Sequence, residues 1–372
     1  MPPLVLTTAS DADRRFTIMQ AVDTLTRGGI VALPMETVYG IAARLTQPSA
    51  IERLKKIKKI SGHPGWVIHL AQQSQTRLYI RKMPAMASRL MKKCWPGPVA
   101  IQVRASEAEQ AVLGMLIPPA MAGEILTDGF ITFRCPDQPV TREILADLPG
   151  PTAMVGAGEG QPVGEADDIP AHIAAQLDAI VDAGPVRYRK ASTIVRVDGD
   201  QLQIVRAGVI DERIIDRLAG QVIVFICTGN TCRSPMAAAI AGAWLARKLG
   251  VDPASLRQHH LAVESAGLHA TEGMPATAEA RTAALELGAD LGRHRSRAVS
   301  EDLLRRADVI YTMTQAHRDE LLERYPAAAD KTFTLDPDSD IEDPIGSAVG
   351  RYRQLAKRLE ALVAQRLSGI LP

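Results

Sequence analysis

The sequence predicts an α/β protein with two domains. The chain has 372 residues, of which 46% are hydrophobic, and a chain of this length is expected to form two cores instead of one. Beyond residue 220, short apolar segments alternate with helical patterns, which is typical of a parallel sheet with helices on both faces. The polar-faced segment DERIIDRLAG at 211–220 marks the boundary, so we expect domains at 1–212 and 220–372.

The second domain is predicted to be a doubly wound, four-stranded parallel sheet. In chain order, the expected elements are a strand from Val222, a helix from Pro235 to about Leu249 that stops at Gly250, a strand at 262–265, a helix at 276–287, a strand at 309–313, a helix from about 315, a strand at 331–335 and a helix from about 347. Ligands of such sheets bind at the carboxyl ends of the strands. Cys227 lies at such an end.

The loop after the first of these strands has the composition of a phosphate site with its own nucleophile. In VIVFICTGNTCRS, five residues separate Cys227 from Arg233. Backbone N–H groups of a strand-to-helix loop converge on a phosphoryl group, and the helix N-terminus and the guanidinium favour a thiolate. The planar guanidinium of Arg233 matches two phosphoryl oxygens. A Cys-x5-Arg pair alone is a weak signal, because most buried cysteines are small core residues.

From residue 221 onward, the sequence resembles the low-molecular-weight protein phosphatases in CTGNTCRSPMA and in Asp343-Pro344. The resemblance implies that Cys227 forms a phosphocysteine, that Arg233 binds the phosphoryl group and that Asp343 is the general acid. We prefer Asp343 to Asp336, which also precedes a proline, because Asp343 is followed by IGS and a long helix. The residues expected to form and support the loop are Thr228, Gly229, Asn230, Thr231, Cys232, Ser234, Ser265 and His294.

The substrate is predicted from positions around this loop. Family members that act on phosphotyrosine carry aromatic residues where this chain has Ile345 and Leu268-His269. Thr231 and the stretch MTQAH at 313–317 resemble the protein-arginine phosphatase branch, although that branch usually has an aromatic residue at the position of Ile345. We therefore favour phosphoarginine in a phosphorylated protein as the substrate, and phosphotyrosine remains the alternative.

The first half of the chain carries a second set of motifs. They are LPMETVYGIAA at 33–43, KKCWPGPVAIQV at 92–103, ITFRCPDQP at 131–139, ASTIVRV at 191–197 and IVRAGVI at 204–210. In this order they resemble the YrdC-like threonylcarbamoyl-adenylate synthase family. The resemblance implies a twisted mixed α/β sheet around a positively charged cavity, and synthesis of threonylcarbamoyl-AMP from threonine, bicarbonate and ATP with Mg²⁺ for tRNA modification. The implied nucleotide- and substrate-binding residues are Thr37, Tyr39, Lys58, His69, Arg134, Ser192 and Arg206.

Three departures from the family pattern argue against full synthase activity. Ile60 stands in place of a phosphate-binding arginine, the segment 156–158 replaces a Ser-x-Asn pair, and Met35 replaces a threonine. An isoleucine cannot pair with phosphate, and each lost charged hydrogen bond costs about 1.5–3 kcal/mol. Three interpretations stay open: an active synthase, a weakened synthase, or a binding module that delivers substrate to the phosphatase. Such a module would recognise a nucleotide, RNA (double-stranded RNA included) or a phosphoprotein. The partners expected for a synthase are tRNA and tRNA-modification proteins.

The composition predicts the environment of the protein. The formal charge of +1 gives no indication of nucleic-acid binding, and four cysteines in 372 residues indicate a reduced environment. The sequence has no apolar run long enough to span a bilayer. We therefore expect a cytoplasmic protein without a membrane partner. The phosphatase chemistry needs no cofactor, and we predict no metal site.

Overall fold

The structure is a computed structural model that describes residues 2–62 and 65–368. The chain divides into two compact units, the first ending at Ala219 and the second beginning at Gly220. The helical segment at 212–219, which we placed near the boundary, packs in the first unit, because Ile215 and Ala219 are fully buried in its core. The first unit therefore extends through this helix.

The first unit is built on a mixed sheet. Among the described residues, ten strands form it, in the spatial order β1-β8-β2-β3-β7-β4-β6-β5-β9-β10. The strands are β1 (Leu4–Thr7), β2 (Val31–Leu33), β3 (Gly40–Arg44), β4 (Val67–His69), β5 (Val99–Arg104), β6 (Phe130–Arg134), β7 (Thr152–Gly156), β8 (Ala179–Asp182), β9 (Thr193–Asp198) and β10 (Gln201–Arg206). The sheet contains parallel pairs, such as β4 with β6, and antiparallel pairs, such as β3 with β7. The predicted mixed sheet is confirmed.

Helices cover this sheet. They are α1 (Asp11–Thr26), α2 (Pro48–Lys58), α3 (Ala85–Cys94), α4 (Glu107–Leu116), α5 (Pro119–Ile125), α6 (Pro139–Asp147), α7 (Ala171–Ala174) and α8 (Glu212–Ala219). In α2, Ile51, Leu54 and Ile57 are buried at helical spacing, whereas Lys56 is exposed. Helix α2 is therefore amphipathic, with Lys56 on its exposed side.

The second unit is the predicted parallel sheet. The four strands found in the described residues are β11 (Gln221–Cys227), β12 (Leu261–Gly267), β13 (Val309–Thr312) and β14 (Thr332–Thr334), in the order β12-β11-β13-β14 with every pair parallel. Its helices are α9 (Arg233–Leu249), α10 (Ala278–Leu285), α11 (Glu301–Arg306), α12 (Gln315–Arg324) and α13 (Val349–Leu367). This confirms a doubly wound fold.

Alternate residues of β11 face opposite sides of the sheet. Phe225 and Cys227 lie in the cluster that contains residues of α9, α10 and α13. Val224 and Ile226 lie in the cluster that contains residues of α11 and α12. Because successive side chains of a strand alternate in direction, this register fixes the side on which the Cys227 thiol emerges.

The bounds of most elements in the second unit differ from the prediction by one or two residues, and three differences concern helices at or near the site. Helix α9 begins at Arg233, two residues before the predicted start, and ends as expected at Gly250, whose φ of 68° is left-handed. Helix α11 was not predicted, since six residues are too few to show a helical period. Helix α13 begins at Val349 instead of 347. Within the described part of the chain, no helix is both long and apolar enough to cross a membrane.

Candidate functional site

The Cys227 thiol lies at the junction of β11 and the following loop. The residue is buried, and its Sγ is 2.9 Å from the hydroxyl of Ser234. The backbone N–H of Asn230 also donates to this sulfur, at 3.3 Å. Ser234 belongs to the first turn of α9, so the sulfur lies near a helix N-terminus. The Ser234 hydroxyl is also within 3.2 Å of the Ala266 carbonyl, so it links the sulfur to β12.

The loop conformation is held by Asn230. Its φ of 55° is left-handed, a region that asparagine tolerates better than most residues. Its side-chain Nδ2 donates to the hydroxyls of Ser234 and Ser265, each at 2.9 Å. Its Oδ1 accepts from the backbone N–H of Arg297 at 3.0 Å. One buried amide thus joins the loop to α9, to β12 and to the segment before α11.

His294 and Arg297 support the same loop from outside. His294 Nε2 is 2.8 Å from the Asn230 carbonyl oxygen, and because that oxygen can only accept, Nε2 carries the hydrogen. Burial lowers the pKa of His294, which keeps the ring neutral. Arg297 donates to the Ser265 carbonyl at 2.9 Å and pairs with Glu264 at 2.7 Å. Burial alone would raise the pKa of Glu264, but hydrogen bonds and charge from Arg297 lower it.

Arg233 connects the loop with the segment that carries Asp343. Its Nη1 donates to the Ile341 carbonyl at 3.1 Å, and its Nη2 is 2.5 Å from Asp343 Oδ2. The guanidinium is buried, whereas the Asp343 side chain is 41% exposed. Asp336, the alternative acid, pairs instead with Arg358 at 2.6 Å. The structure therefore brings together Arg233 and Asp343, 110 residues apart in sequence.

His317 also contacts this site, although the sequence analysis did not select it. Its Nε2 is 2.8 Å from Thr228 Oγ1, which also accepts from Arg233 Nη2 at 3.3 Å. Its Nδ1 is 2.8 Å from the hydroxyl of Thr314, the N-cap of α12. The stretch MTQAH contains this histidine, so the sequence showed that the position matters. It did not show that His317 contacts Thr228.

The remaining loop residues lie as follows. Cys232 is buried, with its Sγ 3.6 Å from the hydroxyl of Tyr352 and 3.7 Å from that of Thr277. Thr231 is half-buried, and its carbonyl accepts from the backbone N–H of Thr277 at 3.1 Å. Gly229 lies in the same turn. The roles that we assigned to these residues stay predictions.

The positions expected to flank the substrate are not aromatic. Ile345 is 67% exposed, Leu268 is buried, and His269 Nε2 is 2.8 Å from Glu320. An exposed isoleucine next to Asp343 offers an apolar contact, but it has no ring face on which a phenyl group could stack.

The first unit contains a separate cavity of about 260 Å³. Four of the seven predicted ligand residues line it: His69, Arg134, Ser192 and Arg206. Met35, Ile60 and Gly156, the positions at which the sequence departs from the family, line it as well. The cavity therefore collects both the retained and the replaced residues of the predicted site.

The polar groups of this cavity are largely engaged with each other. Arg134 pairs with Glu36 at 2.7 Å, and both side chains are 3% exposed. Arg134 also donates to the Thr37 hydroxyl at 2.9 Å. Arg206 donates to the carbonyl and hydroxyl oxygens of Ser192, each at 2.9 Å. Thr37 itself does not line the cavity, but it binds Arg134, which does.

His69 is held as a neutral ring. Burial, together with the positive charge of Arg134, lowers the pKa of His69 to about 3. Its Nδ1 is 3.0 Å from the Val67 carbonyl, so that nitrogen carries the hydrogen and Nε2 is left as an acceptor. Tyr39 instead lies in the core, where its hydroxyl donates to the Gly184 carbonyl at 2.8 Å and burial raises its pKa.

The residues present do not fit a triphosphate well. Lys58, the retained lysine, is not among the residues lining the cavity, and its ammonium donates to the Gly158 carbonyl. Ile60 lines the cavity where a charged side chain would be needed. Arg134 is neutralised by Glu36. An anion can approach Arg206, but among residues 2–62 and 65–368 the cluster of cations that three phosphates require is incomplete.

Comparisons with known proteins divide at the same place. A family model of Sua5, YciO and YrdC, described as telomere recombination, matches residues 23–208. A second model, described as low molecular weight phosphotyrosine protein phosphatase, matches residues 222–370.

Individual relatives agree with this division. A protein-arginine-phosphatase of Geobacillus stearothermophilus is 40% identical over 148 residues, which are 38% of this chain and 90% of that protein. A threonylcarbamoyl-AMP synthase of Bacillus subtilis is 28% identical over 215 residues, 56% of this chain and 58% of that protein. The structure of a Pyrococcus abyssi Sua5 variant matches with a TM-score of 0.51 at 21% identity, over 65% of this chain and 76% of that one. At 21% identity, the match to the Pyrococcus abyssi structure indicates a similar fold and nothing about function.

Removing the Ser234 hydroxyl should make Cys227 less reactive. In a Ser234→Ala variant, we expect alkylation of Cys227 by iodoacetamide at neutral pH to slow about 10-fold, because a hydrogen bond to a charged sulfur is lost. The matched control is Ser300→Ala, which removes the N-cap hydroxyl of α11 and should leave the rate unchanged. Equal rates in all three proteins would contradict the assigned contact.

Proposed function

Because the first unit of the chain belongs to the Sua5/YciO/YrdC family and the second to the low-molecular-weight protein phosphatases, we propose that the chain couples a synthase-like domain of reduced activity to a phosphatase of phosphoarginine in proteins. The arrangement of Cys227, Arg233 and Asp343 around one loop carries this proposal. The reaction proceeds through a phosphocysteine intermediate on Cys227.

In the first step, the Cys227 thiolate attacks phosphorus. The S–P bond forms while the bond from phosphorus to the leaving nitrogen or oxygen breaks, and the carboxyl of Asp343 gives its proton to the leaving group. Arg233 and the loop N–H groups bind the phosphoryl oxygens. Since Arg233 pairs with the Asp343 carboxylate in the free protein, the arriving phosphoryl group takes over the guanidinium. The released carboxylate takes up a proton from solvent and is then the acid that protonates the leaving group.

In the second step, water attacks the phosphocysteine. Asp343, now a carboxylate, accepts a proton from that water, the P–O bond forms and the S–P bond breaks, so that thiolate and inorganic phosphate are restored. The Ser234 hydroxyl, 2.9 Å from the sulfur, stabilises the departing thiolate. Of the two candidate acids, the position of Asp343 beside Arg233 supports its role over that of Asp336.

Phosphoarginine is favoured by the surroundings of the loop. Leu268 and His269 stand at one of the positions where phosphotyrosine phosphatases enclose the ring, and the relative that is 40% identical is a protein-arginine-phosphatase. Ile345 does not separate the two substrates, because both branches usually carry an aromatic residue there. Thr231 places a hydroxyl on the loop two residues before Arg233. A hydroxyl can hydrogen-bond to a guanidinium N–H, whereas an aliphatic side chain cannot. Phosphotyrosine, named in the matching family description, is the second candidate.

The chemistry predicts distinct effects for nucleophile and acid. Cys227→Ser should abolish turnover while inorganic phosphate still binds, because the loop N–H groups and Arg233 are retained. Asp343→Asn should slow turnover about 10²- to 10⁴-fold for poor leaving groups and less for good ones. Asp336→Asn is the matched control, with a rate expected to stay within about threefold. Steady-state assays with esters of graded leaving groups measure this, and an unchanged rate in Asp343→Asn would refute the assignment.

The substrate preference should depend on Thr231. A Thr231→Val variant keeps the shape of the side chain but loses the hydroxyl, so we expect kcat/KM for a phosphoarginine peptide to fall about 10-fold. Turnover of a phosphotyrosine peptide should change little, which makes the second substrate an internal control. If the unaltered protein prefers phosphotyrosine, or if the ratio of the two rates does not move, phosphoarginine is the wrong substrate.

For the first unit, we propose weak or absent synthesis of threonylcarbamoyl-AMP. The cavity residue Arg206 supports binding of a small anion, while Ile60, the engaged Lys58 and the Arg134–Glu36 pair argue against a firmly held triphosphate. Loss of two charged hydrogen bonds weakens binding of ATP by about 100-fold or more.

This predicts little product when the protein is incubated with ATP, threonine and bicarbonate, measured as threonylcarbamoyl-AMP and pyrophosphate. An Ile60→Arg variant should bind ATP about 10-fold more tightly, because a cation is restored at the cavity. Ile60→Gln, of similar length but uncharged, is the control. Rapid product formation by the unaltered protein would show that the departures do not impair the synthase.

A further inference from the structure

A chain of side chains runs from α12 to the phosphate loop. It consists of Thr314, His317, Thr228 and Arg233, with contacts of 2.8, 2.8 and 3.3 Å between successive polar atoms. Thr228 directly follows the nucleophile Cys227 and is exposed, whereas His317 is 8% exposed. A buried imidazole is therefore fixed against a hydroxyl at the open side of the loop.

One of these hydrogen bonds has a direction fixed by its groups, and the direction of the two bonds at His317 depends on the tautomer of the ring. Arg233 Nη2 can only donate, so Thr228 Oγ1 accepts from it. A hydroxyl has two lone pairs and one hydrogen. If His317 Nε2 also donates to Thr228 Oγ1, both lone pairs are used and the hydroxyl hydrogen is free to point elsewhere. Thr314 can donate its own hydrogen to Nδ1 of His317, which completes this tautomer.

We propose that His317 is a positioning residue that turns the Thr228 hydroxyl into a donor to the phosphoryl group bound in the loop. Without His317, the hydroxyl keeps one lone pair unpaired and its hydrogen has no fixed direction. With His317, the hydroxyl hydrogen adds to the donors that Arg233 and the loop N–H groups provide. The inference rests on the proposed phosphatase function and extends it to a residue outside the loop.

The electrostatic surroundings support a neutral imidazole in this role. Burial, and then the positive charge of Arg233, lowers the pKa of His317, while Glu320, Asp343 and Asp340 act in the opposite direction. The net shift is downward, so the ring is neutral at neutral pH. A neutral imidazole has one donor and one acceptor nitrogen, so a ring that donates from Nε2 to Thr228 can accept at Nδ1 from Thr314.

The contact is separate from the network that shapes the loop. The hydrogen bonds of Asn230 reach Ser234, Ser265 and Arg297, whereas those of His317 reach Thr228 and Thr314. Loss of His317 is therefore expected to weaken phosphate binding without disturbing the approach of Ser234 to Cys227. This distinguishes a positioning role from a general structural one.

The test measures binding of inorganic phosphate to the full chain by titration calorimetry, together with kcat and KM on phosphoarginine and aryl phosphate substrates. His317→Leu and Thr228→Val should each weaken phosphate binding about 10-fold, the loss of one hydrogen bond to a charged group. Combining both should weaken it no further, because His317 acts through the Thr228 hydroxyl. His317→Gln retains an amide N–H donor and should recover binding to within about threefold.

Two controls separate this effect from misfolding. Thr332→Val removes a buried hydroxyl that donates to the Ala328 carbonyl at 2.7 Å, in the same unit but outside the loop, and should leave phosphate binding unchanged. Alkylation of Cys227 should proceed at the unaltered rate in His317→Leu. Independent, additive losses in the double variant, or full phosphate binding by His317→Leu, would overturn the inference.

Because phosphate binding is measured without turnover, this test can fail or succeed independently of the proposed function. If the unaltered protein binds phosphate but hydrolyses neither substrate, the proposed function fails while the coupling between His317 and Thr228 can still be measured. If turnover is found and the two variants are not coupled, the positioning role alone fails.

Discussion

The second unit depends on one buried amide, that of Asn230. The chain must turn from β11 into α9 within five residues and place the Cys227 thiol inside the turn. Asn230 meets this constraint with a φ of 55° and with hydrogen bonds to α9, β12 and the segment before α11. Glycine would tolerate the backbone angle but bond to nothing, and aspartate would lack the two donors. Both the sulfur environment and the position of Arg233 follow from this turn.

Each unit contains a buried arginine paired with a carboxylate, and the two pairs differ in their consequence. Asp343 is 41% exposed on a loop, so it can leave Arg233 when a phosphoryl group offers better partners. Glu36 is 3% exposed beside Arg134, and separating a buried pair costs about 3–5 kcal/mol. The Arg233–Asp343 pair can therefore separate when substrate binds. The Arg134–Glu36 pair stays closed, so Arg134 offers little positive charge to a nucleotide.

The fold was predictable where local pattern and sheet register agree. The strand-loop-helix from β11 to α9 and the order of alternating elements gave the parallel sheet, because each element there is long enough to show its period. Helix α11 could not be predicted in this way, because it has only six residues. The inner side of α2 was visible from Ile51, Leu54 and Ile57, since their spacing matches the helical period. In the first unit, the motifs indicated which residues gather, but not that Lys58 would turn toward the Gly158 carbonyl.

The sequence by itself predicted an anion site in the loop, because Cys227, Arg233 and the start of a helix lie at a fixed spacing and such constraints are local. The tertiary structure decided which distant residues complete it. Asp343 meets Arg233 across 110 residues and His317 meets Thr228 across 89, contacts set by the packing of α12 and of the Asp343 loop at the carboxyl edge of the sheet. A linear pattern carries no record of such approaches, because neighbouring strands of a parallel sheet are joined by crossovers of variable length.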